Sequence, residues 1–336
     1  MKRPQRLINR MRSSMPGLAA LLTLALVGCA PFNHSGPESP AARTSLQPFE
    51  PRPRVALVLS SGGPRGFAHI GVMRVLEEAG IEIDLIVGTS VGALLGAFWA
   101  DGRSAAEIDA LSRQGGPFTL FDFSPFADRG WIHGQRLQDY VDQGLVHRHI
   151  ERMPRRLVVG ATRRDDKVPV FFSNGRASVA VRASSAIRGV FSPVGIEGIE
   201  YEDGDESLPL AVRAAREAGA RFVIAVDVSA NPRIIPITAS ASEREYVLGR
   251  AARIAPEAAA ADFLIEADMR YYASPLASYF EYARLAGERS ARNRLARLLE
   301  ALERAGLPAR GRGASDTARE SICAACDSSM IGAGRR

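Results

Sequence analysis

Apolar and polar positions alternate along this chain in blocks that set out its elements. Largely apolar runs at Val55–Ser60, 83–88, Leu157–Thr162, Val168–Phe172 and Phe222–Val228, the first of them uninterrupted, read as buried strands. Between them lie segments of helical character. Ile70, Val72, Val75, Leu76 and Ala79 recur at helical spacing and stop at Gly80. Residues 91–100, 134–144, 177–184 and 209–218 predict further helices, the last closed by Gly219. Near the end, Leu295, Leu298, Leu299 and Leu302 follow i, i+3, i+4, i+7 spacing among Arg and Glu, the pattern of a surface helix packed on a body. Strand and helix in steady alternation predict an α/β fold with a mostly parallel, helix-covered central sheet.

The ends of the chain read differently. Residues 30–53 hold Pro31, Pro37, Pro40, Pro48, Pro51 and Pro53 with little periodic pattern, so 29–53 predicts a Pro-rich tether. From Pro308 onward a Gly/Ala/Arg/Ser-rich stretch lacks periodicity, and 308–336 predicts a disordered tail. The first 28 residues carry Lys2, Arg3, Arg6, Arg10 and Arg12 and then a run from Leu18 to Val27 that is short for a membrane span, which together read as an export signal. Leu26-Val27-Gly28-Cys29 resembles the lipobox of bacterial lipoproteins. That resemblance implies a signal peptide over 1–28, lipidation at Cys29 and, with Ala30 following, a place in the cell envelope at the outer membrane, facing the periplasm.

Charge then removes one class of function. The formal net charge is +6, but five of those charges sit in the leader, and the remainder has 38 basic against 37 acidic residues. A nucleic-acid partner loses its main support. Cys323 and Cys326 form a lone C-x-x-C without a second pair or a nearby His, a poor zinc site.

The chemistry concentrates after the first two strands. Ser61-Gly62-Gly63-Pro64-Arg65-Gly66 forms a glycine-rich turn between strand and helix, where backbone N–H groups can approach an anion closely. A dinucleotide turn asks for glycine where Ser61 stands, although Asp84 lies near the right distance, and a P-loop asks for a Gly-Lys-Ser/Thr ending that is absent. Nucleotide binding is therefore the weaker reading, and an oxyanion loop fits better. One strand later, Gly88-Thr89-Ser90-Val91-Gly92 has the G-x-S-x-G form of a nucleophile elbow, with an apolar strand before it and an Ala/Leu-rich helix after. A serine nucleophile needs a positioned base. Every histidine (His34, His69, His133, His147, His149) precedes residue 150, which leaves the usual Ser-acid-His order poorly served. Tyr201-Glu202-Asp203-Gly204-Asp205 offers a carboxylate, Asp203, beside a turn.

Gly62-Gly63-Pro64-Arg65-Gly66, Gly88-Thr89-Ser90-Val91-Gly92 and Asp203-Gly204, in this order, resemble the patatin-like phospholipases, over roughly residues 55–230. The resemblance extends through 183–187, 189–193 and 212–220. It implies a three-layer α/β/α sandwich with a mostly parallel central sheet, and hydrolysis of lipid acyl esters without metal or organic cofactor. It makes Ser90 the nucleophile, Asp203 the base, and Gly62, Gly63, Pro64, Arg65 and Gly66 the oxyanion loop. The domain plan that follows is 54–232 catalytic and 233–307 an extension packed upon it. Its implied partners are a lipid acyl-ester substrate and, through the anchor, a membrane surface.

The sequence departs from that pattern at three points. Ser61 replaces the first glycine of the loop, Arg188 stands where proline is common, and Asp205-Glu206-Ser207-Leu208-Pro209 replaces an apolar continuation after Asp203-Gly204. Two added carboxylates are expected to raise the pKa of Asp203 by like-charge repulsion and to move its loop. On that account a non-catalytic envelope lipoprotein, binding lipid or a partner in the same pocket, stands as the alternative.

Overall fold

A computed structural model of the chain describes residues 33–114 and 120–309. Leader, Cys29, the Gly115-Gly116-Pro117 stretch with Phe118, and the tail with Cys323 and Cys326 lie outside the described residues. In chain order the strands are β1 (Asn33–His34), β2 (Ala42–Arg43), β3 (Val55–Leu59), β4 (Leu85–Thr89), β5 (Arg156–Arg163), β6 (Pro169–Phe172), β7 (Val194–Ile196), β8 (Ile199–Glu202), β9 (Phe222–Asp227) and β10 (Phe263–Glu266). The helices are α1 (Phe67–Glu78), α2 (Val91–Ala100), α3 (Ala105–Arg113), α4 (Gln135–Gly144), α5 (Ala177–Ser184), α6 (Val212–Glu217), α7 (Ala241–Ala258) and α8 (Ala277–Arg304).

All ten strands join one sheet, and β5-β4-β3-β9-β10 run parallel through its centre. Successive residues of these strands point to opposite faces, and each face has its own core. Leu57, Leu59, Ile86, Val159, Ile224 and Val226 pack beneath α1, α2, α5 and α8. Ala56, Val58, Val87, Val158, Val223 and Ala225 pack on the other side with α6 and Ile254 of α7. Helices on both faces of a mostly parallel sheet make the three-layer α/β/α arrangement.

Two boundaries differ from the sequence reading. The tether expected over 29–53 is docked from Asn33 on: β1 pairs with β7, β2 pairs with β6, and Leu46 is buried in the second core. Proline-rich composition removes backbone donors but leaves carbonyls and short edge pairings available. No structural break falls at 232 either, because β10 extends the sheet beside β9 and α8 lies along α1. The helix expected over 209–218 begins only at Val212. The Pro209 carbonyl instead accepts the Ser61 N–H at 2.9 Å, and Leu210 and Ala211 turn into the core.

α1 and α8 approach so closely that a Cβ at Gly71 would lie 2.1 Å from the Arg284 carbonyl oxygen, and one at Gly287 would lie 2.0 Å from that of Ala68. Backbone atoms cannot yield as a flexible side chain does. Gly71→Ala is therefore expected to destabilise the fold by about 1–3 kcal/mol or more through overpacking, read as a lower urea midpoint at unchanged slope.

Candidate active site

The meeting of Ser90 and Asp203 follows from strand register. β4 pairs with β5 as far as Thr89 opposite Gly160. β8 comes from the other direction, antiparallel, and pairs with β5 at Thr162 opposite Glu202. Because β6 occupies the opposite edge of β5 over Val159–Thr162, β4 and β8 end nearly head to head on one edge. The residue after each end is Ser90 and Asp203. Gly204 seats the second loop against the first, since a Cβ there would lie 2.5 Å from Thr89 Cγ2 and 2.7 Å from the Gly160 carbonyl oxygen.

Ser90 has φ 55 and ψ −123, a positive-φ conformation costly for a residue with a side chain. It is held there by close backbone packing. A Cβ at Gly88 would lie 2.5 Å from the Gly92 carbonyl oxygen, and one at Gly92 would lie 2.4 Å from that of Leu59. The Ser90 N–H is taken by Ser184 Oγ at 2.7 Å, and that hydroxyl donates in turn to the Gly160 carbonyl at 2.6 Å. Ser184 thus ties α5 and β5 to the elbow. The sequence reading included it in the family resemblance but gave it no role.

Ser90 Oγ donates to Asp203 Oδ2 at 2.7 Å. Both residues are buried, Asp203 at 2% exposure. The other carboxylate oxygen, Oδ1, accepts the Asp205 N–H at 2.8 Å. Burial is the main force on Asp203 and pushes its pKa up to about 7, with smaller upward pushes from Asp205 and Glu206 and downward pulls from the Asp205 N–H and the Ser90 hydroxyl. Like-charge repulsion, the expected cause, is thus secondary to desolvation. The loop keeps Asp203 at hydrogen-bond distance from Ser90, and Asp205 is itself bound by Arg250.

The glycine loop divides its work among its residues. Pro64 has no N–H, and that of Arg65 donates to the Gly62 carbonyl at 3.1 Å. Pro64 and Arg65 are therefore corrected as oxyanion donors, and Gly62 and Gly63 have the N–H groups that precede the turn. The Arg65 guanidinium, buried, donates to the carbonyls of Arg270 and Tyr271 and fastens the segment before α8 to the loop. Arg188 pairs with Glu202, which directly precedes Asp203. His69 Nε2 lies 2.9 Å from the Ser60 carbonyl oxygen in the core, and burial lowers its pKa to about 4. His147 pairs with Asp101 at the far end of α2 and does not approach Ser90.

Two cavities meet at Ser90. One, of about 210 Å³, is apolar and lined by Phe67, Leu94, Phe98, Phe121, Tyr140 and Phe191, among others. The second, of about 430 Å³, is polar and lined by Gly62, Asp203, Asp205, Arg188, Tyr246 and Arg250, among others. Gly63, Ser90 and Ile187 belong to both. Among the described residues, no group of three His, Cys, Asp or Glu side chains is placed to hold a metal ion. No helix among them is long and apolar enough to cross a membrane.

The chain is similar to known proteins over the region that holds this geometry. Residues 57–210 match the family model described as patatin-like phospholipase. Over 183 residues the chain is 34% identical to the lysophospholipase NTE1 of Coccidioides immitis, covering 52% of this chain and 12% of that protein. It is 35% identical over 183 residues to an uncharacterized NTE family protein of Mycobacterium bovis, covering 53% of this chain and 49% of that one. The chain thus spans less than half the length of these relatives. Among solved structures, VipD from Legionella pneumophila aligns over 82% of this chain and 72% of its own at a TM-score of 0.49 and 12% identity.

The raised pKa of Asp203 has a consequence for stability. The native state keeps the proton up to about pH 7, whereas an unfolded aspartate releases it near its ordinary 3.8. Between those values the folded chain binds more protons, so this group's contribution to stability falls as pH rises. Asp203→Asn is expected to raise Tm more at pH 8 than at pH 4, measured by parallel thermal melts.

Proposed function

We propose that this chain, on the premise that its residues 57–210 are a patatin-like phospholipase segment, is a serine hydrolase that cleaves lipid acyl esters through Ser90 and Asp203. The observation that carries the reading is the 2.7 Å hydrogen bond from the Ser90 hydroxyl to a buried carboxylate, placed where an apolar and a polar cavity join. Asp203 takes the hydroxyl proton as Oγ attacks the ester carbonyl. The N–H groups of Gly62 and Gly63 face the oxyanion that forms. Collapse returns the proton from Asp203 to the departing alcohol and leaves the acyl group on Ser90. Water, deprotonated by Asp203, then attacks the acyl-enzyme, and the fatty acid departs as Asp203 returns the proton to Ser90 Oγ. The apolar cavity suits the acyl chain, and the polar one suits the alcohol with its head group. The loop after Asp203 had favoured a non-catalytic lipoprotein. Its retention of hydrogen-bond distance to Ser90 supports hydrolysis instead.

A lipid substrate also gives a reason for the rim of the apolar cavity. Phe123, Phe126 and Trp131 are 61%, 81% and 71% exposed. Their hairpin is tied to the site, since the N–H groups of Trp131 and Ile132 donate to the Val190 carbonyl at 2.8 and 2.9 Å, and the neighbouring Phe121 ring stacks edge-on to Phe191 at 5.8 Å. Exposed Leu276 follows Pro275 on the cavity wall. In this reading the rim faces a membrane, with lipidated Cys29 holding the protein at the periplasmic side of a bacterial outer membrane.

Two experiments test these readings. With a short-chain ester and with a lysophospholipid, Ser90→Ala and Asp203→Ala are expected to lose at least about 10³-fold in kcat. Wild-type kcat should rise with pH, as Asp203 ionises, to a half-maximum near pH 7. Equal turnover by wild type and Ser90→Ala on both substrates would sink the reading.

For the rim, the chain from Ala30 on, carrying Ser90→Ala, is mixed with anionic lipid vesicles. Trp99 is buried and Trp131 exposed, so a blue shift of tryptophan emission reports Trp131 entering the lipid. In the active chain, Phe126→Asp with Trp131→Asp should cut hydrolysis of vesicle lipid several-fold. Hydrolysis of a soluble short-chain ester should stay within about twofold. Absence of both the shift and this selectivity counts against a membrane-facing rim.

A further inference from the structure

Arg250 lies in the middle of α7, outside the stretch that matches the family model, and is buried at 6% exposure. Its Nε donates to Asp205 Oδ1 at 2.8 Å. Its Nη2 donates to the Ser61 carbonyl at 2.8 Å and reaches Ser61 Oγ at 2.9 Å. Its Nη1 donates to Ser229 Oγ, just past the end of β9. Ser61 Oγ donates to the same Asp205 oxygen. One turn earlier on α7, the Tyr246 hydroxyl donates to Asp205 Oδ2 at 2.8 Å. Both oxygens of Asp205 are therefore held from α7, while the Asp205 N–H donates to the carboxylate of Asp203. Ser61 directly precedes Gly62 and Gly63.

Resting on the hydrolase reading above, we infer that Arg250 is a positioning residue for the reaction. A single guanidinium fixes the loop that offers the oxyanion donors and the loop that carries the base, so the C-terminal extension is a working part of the site. Ser61 and Asp205, two of the sequence's departures from the family pattern, become one device in this arrangement. Each supplies a polar atom that the planar fork of an arginine binds.

The charges around this device set its electrical role. Asp203, Glu206 and Tyr246 face Asp205, and Asp227, Tyr246 and Arg65 face Arg250. Glu206 in turn faces Glu202, Arg188 and Arg253. Burial works to raise the pKa of Asp205, but the charge of Arg250 and the hydrogen bonds from Ser61, Arg250 and Tyr246 outweigh it and hold it below the ordinary range. Arg250 thus keeps Asp205 ionised and its charge answered. Without Arg250, two buried carboxylates stand side by side and hold one proton between them. Asp203 is the more buried of the two and would keep that proton to higher pH.

The test is the pH profile of kcat on a soluble ester, with the full chain and four variants. Arg250→Met is expected to lower the plateau at least about tenfold and to move the acid limb upward by about one pH unit. Arg250→Met with Asp205→Asn should bring the limb back to the wild-type position, because the second carboxylate is gone. Asp205→Asn alone, which keeps Arg250, should move the limb downward. Arg250→Lys, a point charge without the fork, should hold the limb near wild type while the plateau still falls. If Arg250→Met does not fold, Asp205→Asn and Arg250→Lys still give the two directions. A wild type that turns over while no variant moves the limb overturns the positioning role alone. Turnover equal to that of Ser90→Ala overturns the hydrolase reading and this inference with it.

Discussion

The structure depends on a carboxylate being kept away from water beside a hydroxyl. Removing Asp203 from solvent favours its protonated form, yet the same burial makes its hydrogen bond to Ser90 strong and its basicity high. Desolvation is the largest upward force on its pKa. The N–H of Asp205 and the hydroxyl of Ser90 pull it back, and the balance falls near 7. The added carboxylates after Gly204 would upset that balance if their charge were unanswered. Arg250 answers the nearer one. A buried ion pair is weak support for stability in general, since desolvating two charges costs several kcal/mol. Its retention here is better explained by geometry, because the guanidinium ties the loop of Ser61 to the loop that carries Asp203 and Asp205.

Holding Ser90 at a positive φ requires surroundings that allow no other arrangement. Backbone-to-backbone contact supplies this. Gly88 and Gly92 bring β4, α2 and the end of β3 within a distance that any Cβ would prevent, and Ser184 occupies the Ser90 N–H from the side. The elbow is therefore rigid because three elements close on it, each through main-chain atoms or one short side chain. The C-terminal extension is bound into the same assembly. α8 closes on α1 through Gly71 and Gly287, and Arg65 fastens the segment before α8 to the glycine loop.

What the sequence disclosed and what it withheld follow from the range of each signal. The elbow and the glycine turn are local: a few adjacent residues fix backbone shape, and apolar runs on either side give the strand and the helix. The central strands are legible for the same reason, since full burial demands continuous apolar content. Asp203 has no such local mark. An Asp-Gly pair ordinarily signals a turn, and only the ordered resemblance to a family pointed to it. The register that brings β4 and β8 together on β5 is a property of pairing, which no periodicity encodes. Ser184 and Arg250 were opaque because their partners lie 94 and 189 residues away. Residues 33–53 were misread from composition, since proline depletes donors without preventing two-residue pairings at a sheet edge.

The two cavities extend the same logic to the substrate. Lipid esters join an apolar chain to a polar alcohol at the carbonyl group, so on the proposed hydrolase reading the nucleophile belongs at a boundary between two environments. Ser90 has that position. The apolar side is built from α2, α4 and the aromatic loops of the first core, and the polar side from the ends of β3, β8 and β9 with α7. These walls come from opposite layers of the sandwich. The carboxyl ends of the central strands are where the layers part, as in other open α/β sheets. The boundary the proposed chemistry needs is thus the boundary the fold already has, and Ser61, Asp205 and Arg250 lie on its more polar side.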